Sequence, residues 1–297
     1  MDRQAPPLYV RCQARIGVGV FETMDTAPSY TTVKSERGDP VQLGDLHPVA
    51  CESLVRVGNT YDGGYVVPLV AVKAAGALLS FGLSHDWSFE RDFKQRNPDA
   101  IIHCYDHTVS LRTAFQYSIG QLARSVLLFR LSALRRIFTW IDYERFFRSS
   151  GIHFKQRIWS DNQDNSATIE DVFSRLPPQC PVFVKMDIEG SEYLVLEDLL
   201  RHSRDIVAIA AEFHDVDLAP DRFNSAIEKL KQDFYIVHIH GNNLGGKTSS
   251  NFPAAPEMTF LNKRFFPSVP PSSHLKYPVA GLDRPNHPRF PEFTFEF

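Results

Sequence analysis

Val182-Phe183-Val184-Lys185-Met186-Asp187-Ile188-Glu189-Gly190-Ser191-Glu192-Tyr193-Leu194-Val195-Leu196 is the stretch that decides the fold of this chain. Its first five residues are too few for a helix and have the apolar, β-branched character of a strand covered on both faces. The run ends abruptly in Asp187 and Glu189, Gly190 frees the backbone, and Ser191-Glu192 can cap a helix carrying Tyr193, Leu196, Leu199 and Leu200. Ligands of open α/β sheets bind at this carboxyl edge of the strands. A helix dipole accounts for an acidic residue at Glu192 but not for one at Asp187.

Working outward, strand patterns recur at 77–81, 101–105, 154–159 and 207–211, with helical spacing at 88–95, 168–176, 191–202 and 221–231. Such alternation argues for an α/β fold, a mostly parallel sheet with right-handed crossovers and helices on both faces. Residues 235–240 and 258–262 alternate more like edge strands, which brings the count to seven. Upstream, residues 54–68 read as a hairpin turning at Asp62-Gly63-Gly64.

Three segments lie outside this pattern. Residues 1–45, punctuated by Pro6, Pro7, Pro28 and Pro40, are expected to be an extended or partly ordered lead-in. After the second strand, 111–150 is a helical insertion in which seven arginines face only Asp142 and Glu144. It reads as a lid over the sheet edge, a partner-binding helix or a membrane-surface segment, with the lid preferred because buried amphipathic helices are commoner. The last 33 residues, 265–297, hold seven prolines and are expected to wrap the surface, ending in an edge strand over 293–297.

Composition narrows the function. A net charge of −3 and a pI near 6.4 give no support for a nucleic-acid partner. Cys12, Cys51, Cys104 and Cys180 are far apart and form neither a disulfide framework nor a zinc finger, so a reducing, cytoplasmic setting is expected. No secretory leader or transmembrane span is expected, since charges interrupt every long apolar stretch. Peripheral membrane contact through 111–150 stays open.

Candidate site residues cluster at strand ends. Phe81-Gly82 and the turn leading to Ser88 bring backbone N–H groups against a ligand, yet lack the GxGxxG that a pyrophosphate needs, which disfavours a nicotinamide dinucleotide. Asp106 ends the second strand, where an acidic residue accepts hydrogen bonds from ribose hydroxyls, and Asp161 follows the third, in position to touch an adenine edge. Histidines gather late, at His214, His238 and His240, with Asp187 and Glu212 at neighbouring strand ends. These offer a general base near neutral pH, or ligands for a divalent metal with Asp187 and Glu212 as the carboxylates. His214 and His240 are preferred as functional, and His238 as structural.

Ser80-Phe81-Gly82 with Asp86-Trp87-Ser88-Phe89-Glu90, Tyr105-Asp106, Lys185-Met186-Asp187-Ile188-Glu189-Gly190-Ser191-Glu192 and His238-Ile239-His240-Gly241-Asn242-Asn243 together resemble FkbM-type S-adenosylmethionine-dependent methyltransferases. The likeness spans roughly 54–264. It implies a class I methyltransferase domain over 46–264, with one antiparallel strand among the seven and S-adenosylmethionine as cofactor. By this resemblance Phe81, Gly82 and Ser88 hold the methionine part, Asp106 the ribose, and Asp187 with Glu189 the cofactor or acceptor side. Many relatives methylate hydroxyls of sugars or natural products, so the expected reaction is O-methylation of a saccharide, glycan precursor or related small metabolite. A sulfonium carries an already activated methyl, leaving the protein to align the acceptor and take its proton. His214 or His240 with Asp187 would do so; Mg²⁺ on Asp187 and Glu212 is the alternative, placed second because such a set is not a diagnostic metal motif. The competing reading is a catalytically idle module that binds a membrane surface or protein partner through 111–150.

Overall fold

A computed structural model describes residues 41, 43–110, 112, 113, 116, 139–161 and 165–297. The expected lead-in up to residue 40, most of the insertion before residue 139, and Asn162 lie outside the described residues. The hairpin forms as the glycines demand: β1 (Leu54–Gly58) and β2 (Gly64–Pro68) pair antiparallel, with Gly63 at φ +82° in the turn. α1 (Leu69–Ala74) leads into β3 (Ala77–Phe81), then α2 (Ser88–Arg96), β4 (Ile101–Tyr105), α3 (Thr139–Ser149) and β5 (Ile152–Phe154). β6 (Arg157–Ile158) and β7 (Ser166–Ala167) make a separate two-stranded parallel sheet before α4 (Ile169–Ser174). The second half runs β8 (Val182–Met186), α5 (Glu192–Leu200), β9 (Ile206–Glu212), α6 (Pro220–Asp233), β10 (Phe234–Gly241) and β11 (Pro256–Asn262).

Seven of these strands form one sheet in the order β10-β11-β9-β8-β3-β4-β5. All pairs are parallel except those of β11, which runs antiparallel to both β9 and β10. Successive side chains fall on opposite faces and feed two cores. Leu79, Phe81, Val184 and Met186 meet Val172 of α4, Leu196 of α5 and Phe223 of α6 on one face. Leu78 and Phe183 meet Val72 of α1, Phe89 and Phe93 of α2 and Phe146 of α3 on the other. Each such side chain, fully buried, contributes about 1.5–3 kcal/mol, so the apolar strands dominate the stability. Helix starts follow local chemistry: Thr168 and Asp171 form a reciprocal capping box on α4, and Pro220 opens α6.

Three expectations need correction. The strand expected over 154–159 is two strands, because Gln156 N–H folds back onto the Phe154 carbonyl at 2.8 Å and diverts the chain to pair with β7. β11 is not an edge strand but lies between β9 and β10, and all seven of its residues are buried. Its polar alternation arises from satisfied partners: Thr259 donates to the Val66 carbonyl, and Asn262 to the Ser203 and Ile206 carbonyls. Residues 293–297 form no edge strand; Phe295 makes one isolated bridge to Tyr277, within the proline-rich segment itself. That segment packs into the main core through Tyr277, Val279 and Phe295. Among the described residues no helix is long and apolar enough to cross a membrane.

Candidate active site

From β3 the chain builds β4 and β5 outward on one side, and from β8 it builds β9, then β10 at the far edge and β11 between β9 and β10, on the other, so the strand order reverses between β3 and β8. The crevice outside the carboxyl ends of such a pair is where open α/β sheets take their ligands. Gly82 and Asp187 are the first residues beyond its two lips. Gly82 has φ +85°, and a Cβ there would stand 1.8 Å from the Asp187 carbonyl oxygen, so only glycine allows the two turns to approach.

After β8, Glu189 and Gly190 are consecutive left-handed residues, at φ 55° and 93°, which swing the chain sharply into α5. Ser191, expected to cap that helix, makes no side-chain cap bond. Glu192 does the local work instead: fully buried, it accepts the Ile188 N–H at 3.0 Å. The same oxygen lies 3.0 Å from His214 Nδ1, just beyond β9. This leaves His214 Nε2 facing three other carboxylates, 3.6 Å from Glu189, 3.8 Å from Asp187 and 3.9 Å from Glu212. Tyr65, delivered by the hairpin, donates to Asp187 at 3.4 Å, and Asn242 donates to Glu212 at 2.8 Å. Ligand atoms of Asp187, Glu212 and His214 lie within 4.8 Å of one another, so among the described residues these three could hold a metal.

The electrostatics follow from this crowding. Burial works against a charged His214, but the hydrogen bond and charge of Glu192, then Glu212 and Asp187, hold its pKa well above the ordinary imidazole value. Burial and the neighbouring Asp187 push Glu212 well above the usual carboxylate range. The cluster therefore retains a proton that isolated groups would release.

His240 is not part of this cluster. It lies one pairing further along the sheet edge, opposite Glu257, which itself stands opposite Glu212. Its Nδ1 is 3.0 Å from Glu257 and its Nε2 3.4 Å from Glu292. His238 is 3.1 Å from Asp283, both almost fully buried. The structure thus brings Asp187, Glu189, Glu212 and His214 together and ties the two β10 histidines to acidic partners from β11 and the proline-rich segment.

The other candidates divide by geometry. Phe81 packs in the core, and its carbonyl accepts the Asp187 N–H at 2.9 Å. The Ser88 hydroxyl is buried with no hydrogen-bond partner among the described residues. Asp106 accepts Leu83 and Ser84 N–H groups on one oxygen, and the N–H and hydroxyl of Thr108 with the Val109 N–H on the other. Its carboxylate braces the turns after β3 and β4, so a ribose there would exchange with bonds already made. Asp161 is exposed in a bend, its carbonyl accepting the Ser166 hydroxyl. Sequence reasoning missed Tyr65, Glu257 and the bond from Glu192 to His214. An acidic residue adjoining the alternating pattern at 258–262 was the signal for Glu257.

The strand order, with its single antiparallel strand, is that of the class I methyltransferase fold. No protein-family profile and no curated protein matches the chain. Similar solved structures include a fibrillarin/Nop5p complex, at 8% identity over 64% of this chain and 73% of that one, TM-score 0.34. Another is a precorrin-6y C5,15-methyltransferase from Geobacter metallireducens GS-15, at 11% identity over 66% and 86%, TM-score 0.34. A third is a Methanococcus jannaschii fibrillarin pre-rRNA processing protein, at 7% identity over 65% and 68%, TM-score 0.32. Likenesses this distant assign no activity to the chain.

Proposed function

We propose that this chain is an S-adenosylmethionine-dependent methyltransferase acting on a hydroxyl of a saccharide, glycan precursor or related small metabolite. The observation that carries the reading is the carboxylate–histidine cluster at the switch-point crevice, with Gly82 and Asp187 on facing lips. The residues present fit the cofactor: a buried Ser88 hydroxyl without a partner among the described residues, and Asp187 and Glu189 carboxylates suited to a cationic ligand. Phe81, Gly82 and Ser88 would hold its methionine end, Asp106 its ribose and Asp161 its adenine side. When bound, the cofactor supplies a methyl group on a sulfonium.

The protein's own task is then to align the acceptor oxygen and remove its proton. Asp187, partly exposed and hydrogen-bonded by Tyr65, is the carboxylate nearest the crevice, and His214 behind it shares the proton load with Glu212. His240 acts further along the same edge, through Glu257. A second reading, favoured by the compact donor set of Asp187, Glu212 and His214, has a divalent cation such as Mg²⁺ held by these residues, where it would lower the acceptor hydroxyl's pKa.

Isothermal titration with S-adenosylmethionine and S-adenosylhomocysteine, with NAD as control, tests the main reading. Micromolar binding, about −8 kcal/mol, supports it and opens an acceptor screen beginning with sugars. Absence of binding to both sulfur ligands sinks it in favour of a catalytically idle module. Methyl transfer that survives exhaustive chelation selects the metal-free base, and loss restored by Mg²⁺ selects the cation.

A further inference from the structure

Lys185 stands where the pattern of β8 calls for an apolar residue. All five residues of that strand are buried, and the Lys185 side chain is 7% exposed. It falls on the Phe183 face of the sheet, the face covered by α2, where β3 contributes Ser80 and α2 contributes Glu90. An ammonium in such a place is expensive unless its charge is met and its donors are used. Here Nζ donates to the Gly82 carbonyl at 2.6 Å and lies 3.8 Å from Asp187 Oδ2, with the Tyr65 ring centroid 5.9 Å away. Glu90, itself buried on the same face, accepts the Ser80 hydroxyl at 2.5 Å.

The two groups that Lys185 reaches belong to opposite lips of the crevice. Gly82 lies past β3 and Asp187 past β8, and the strand order reverses between them. The Gly82 backbone is otherwise held by its N–H to the Tyr105 carbonyl, and the Asp187 N–H is held by the Phe81 carbonyl. Lys185 is thus a charged tie across the mouth of the ligand crevice that starts from the floor of the sheet.

We infer that Lys185 is a positioning residue for the cofactor: it fixes the Gly82 carbonyl and the Asp187 carboxylate relative to each other, so that the turn after β3 is set before the ligand arrives. The inference rests on the reading of the crevice as an S-adenosylmethionine site. Preorganisation of this kind appears in affinity, since an unfixed turn must be ordered at the moment of binding.

The test is titration of S-adenosylmethionine and S-adenosylhomocysteine into the full chain carrying Lys185→Met or Lys185→Gln, beside amide hydrogen exchange of the ligand-free proteins. Lys185→Met is expected to weaken both ligands tenfold or more and to speed exchange at Gly82, Leu83 and Ser84 ahead of the rest of the sheet. Lys185→Gln, which keeps a neutral donor for the Gly82 carbonyl, is expected to recover at least a third of the lost affinity, and it carries the test if the Met variant fails to fold. Wild-type affinity within twofold in a folded variant overturns the inference, even if that variant has lost thermal stability. So does exchange that quickens uniformly across the sheet, the mark of a merely structural lysine. A wild-type chain that binds neither ligand removes the proposed function itself, a result distinct from a wild type that binds and a variant that binds equally well.

Discussion

Glu192 Oε1 and His214 Nδ1 lie 3.0 Å apart, and the same oxygen accepts the Ile188 N–H, so one buried carboxylate joins the turn after β8 to the loop after β9. An acid at the first position of a helix is ordinarily explained by the helix dipole. At zero exposure, and with its bonds directed away from the helix, Glu192 is a positioning group instead. Glu192→Leu is expected to destabilise the fold by about 3–5 kcal/mol in urea unfolding, because it removes the buried charge that pairs with His214 Nδ1 and leaves the Ile188 N–H without its acceptor. Glu192→Gln keeps an acceptor for both donors, so it should recover most of that stability while lowering the His214 pKa in an NMR titration. An unchanged His214 titration in the Gln variant would show that Glu192 does not hold its proton.

His240 gives a stability signature in pH. Burial opposes its charge, yet Glu257, with Asp283 and Glu292, raises its pKa from 6.5 to about 9. The folded value lies above the unfolded one, so the stabilisation is complete below about pH 6.5 and disappears as pH rises through 9. A shift of this size corresponds to at most on the order of 3 kcal/mol. Unfolding free energies at pH 6, 7.5 and 9 should therefore fall more steeply for wild type than for His240→Gln. Parallel slopes would mean that the His240–Glu257 pair is not ionic in the folded chain.

The sheet was legible from sequence because its central strands are buried on both faces, and a five-residue apolar run has few other readings. β3, β4 and β8 have the expected bounds for that reason. β11 was misplaced at an edge because Thr259 on one face and Asn262 on the other interrupt the apolar run of 258–262 as solvent-facing residues would, while their partners, Val66 and Ser203 among them, are distant in the chain. The site was legible only in part for the same reason. Asp187, Glu189 and Glu212 are announced by where their strands end, whereas the Glu192–His214 bond and the reach of Tyr65 from the hairpin depend on tertiary approach that no local spacing encodes.

Gly82→Ala isolates the close approach of the two lips. The added methyl would meet the Asp187 carbonyl at 1.8 Å and be held at φ +85°, a combination that small shifts do not relieve. A loss of about 2 kcal/mol or more in unfolding is expected, since left-handed strain alone accounts for about 1–2 kcal/mol. Titration with S-adenosylmethionine should weaken with it. A variant that unfolds at the wild-type midpoint and binds normally would mean that the turns have room to separate, and the account of the crevice would be wrong.

Asp283 tests whether the proline-rich segment belongs to the folded unit. Its Oδ2 lies 3.1 Å from His238 Nε2 and accepts the Val279 N–H at 2.6 Å, and the pair is 2% and 1% exposed. Removing one member of a buried pair leaves the other desolvated and unmatched, whereas removing both replaces a polar contact with an apolar one. Asp283→Ala should therefore destabilise by about 3–5 kcal/mol and expose 265–297 to limited proteolysis. The double variant Asp283→Leu with His238→Leu should lose less than Asp283→Ala alone, because the coupling between contacting residues offsets the single losses. Additive losses in the double variant would mean that His238 and Asp283 act independently, and the segment would then be held chiefly by Tyr277, Val279 and Phe295 in the core.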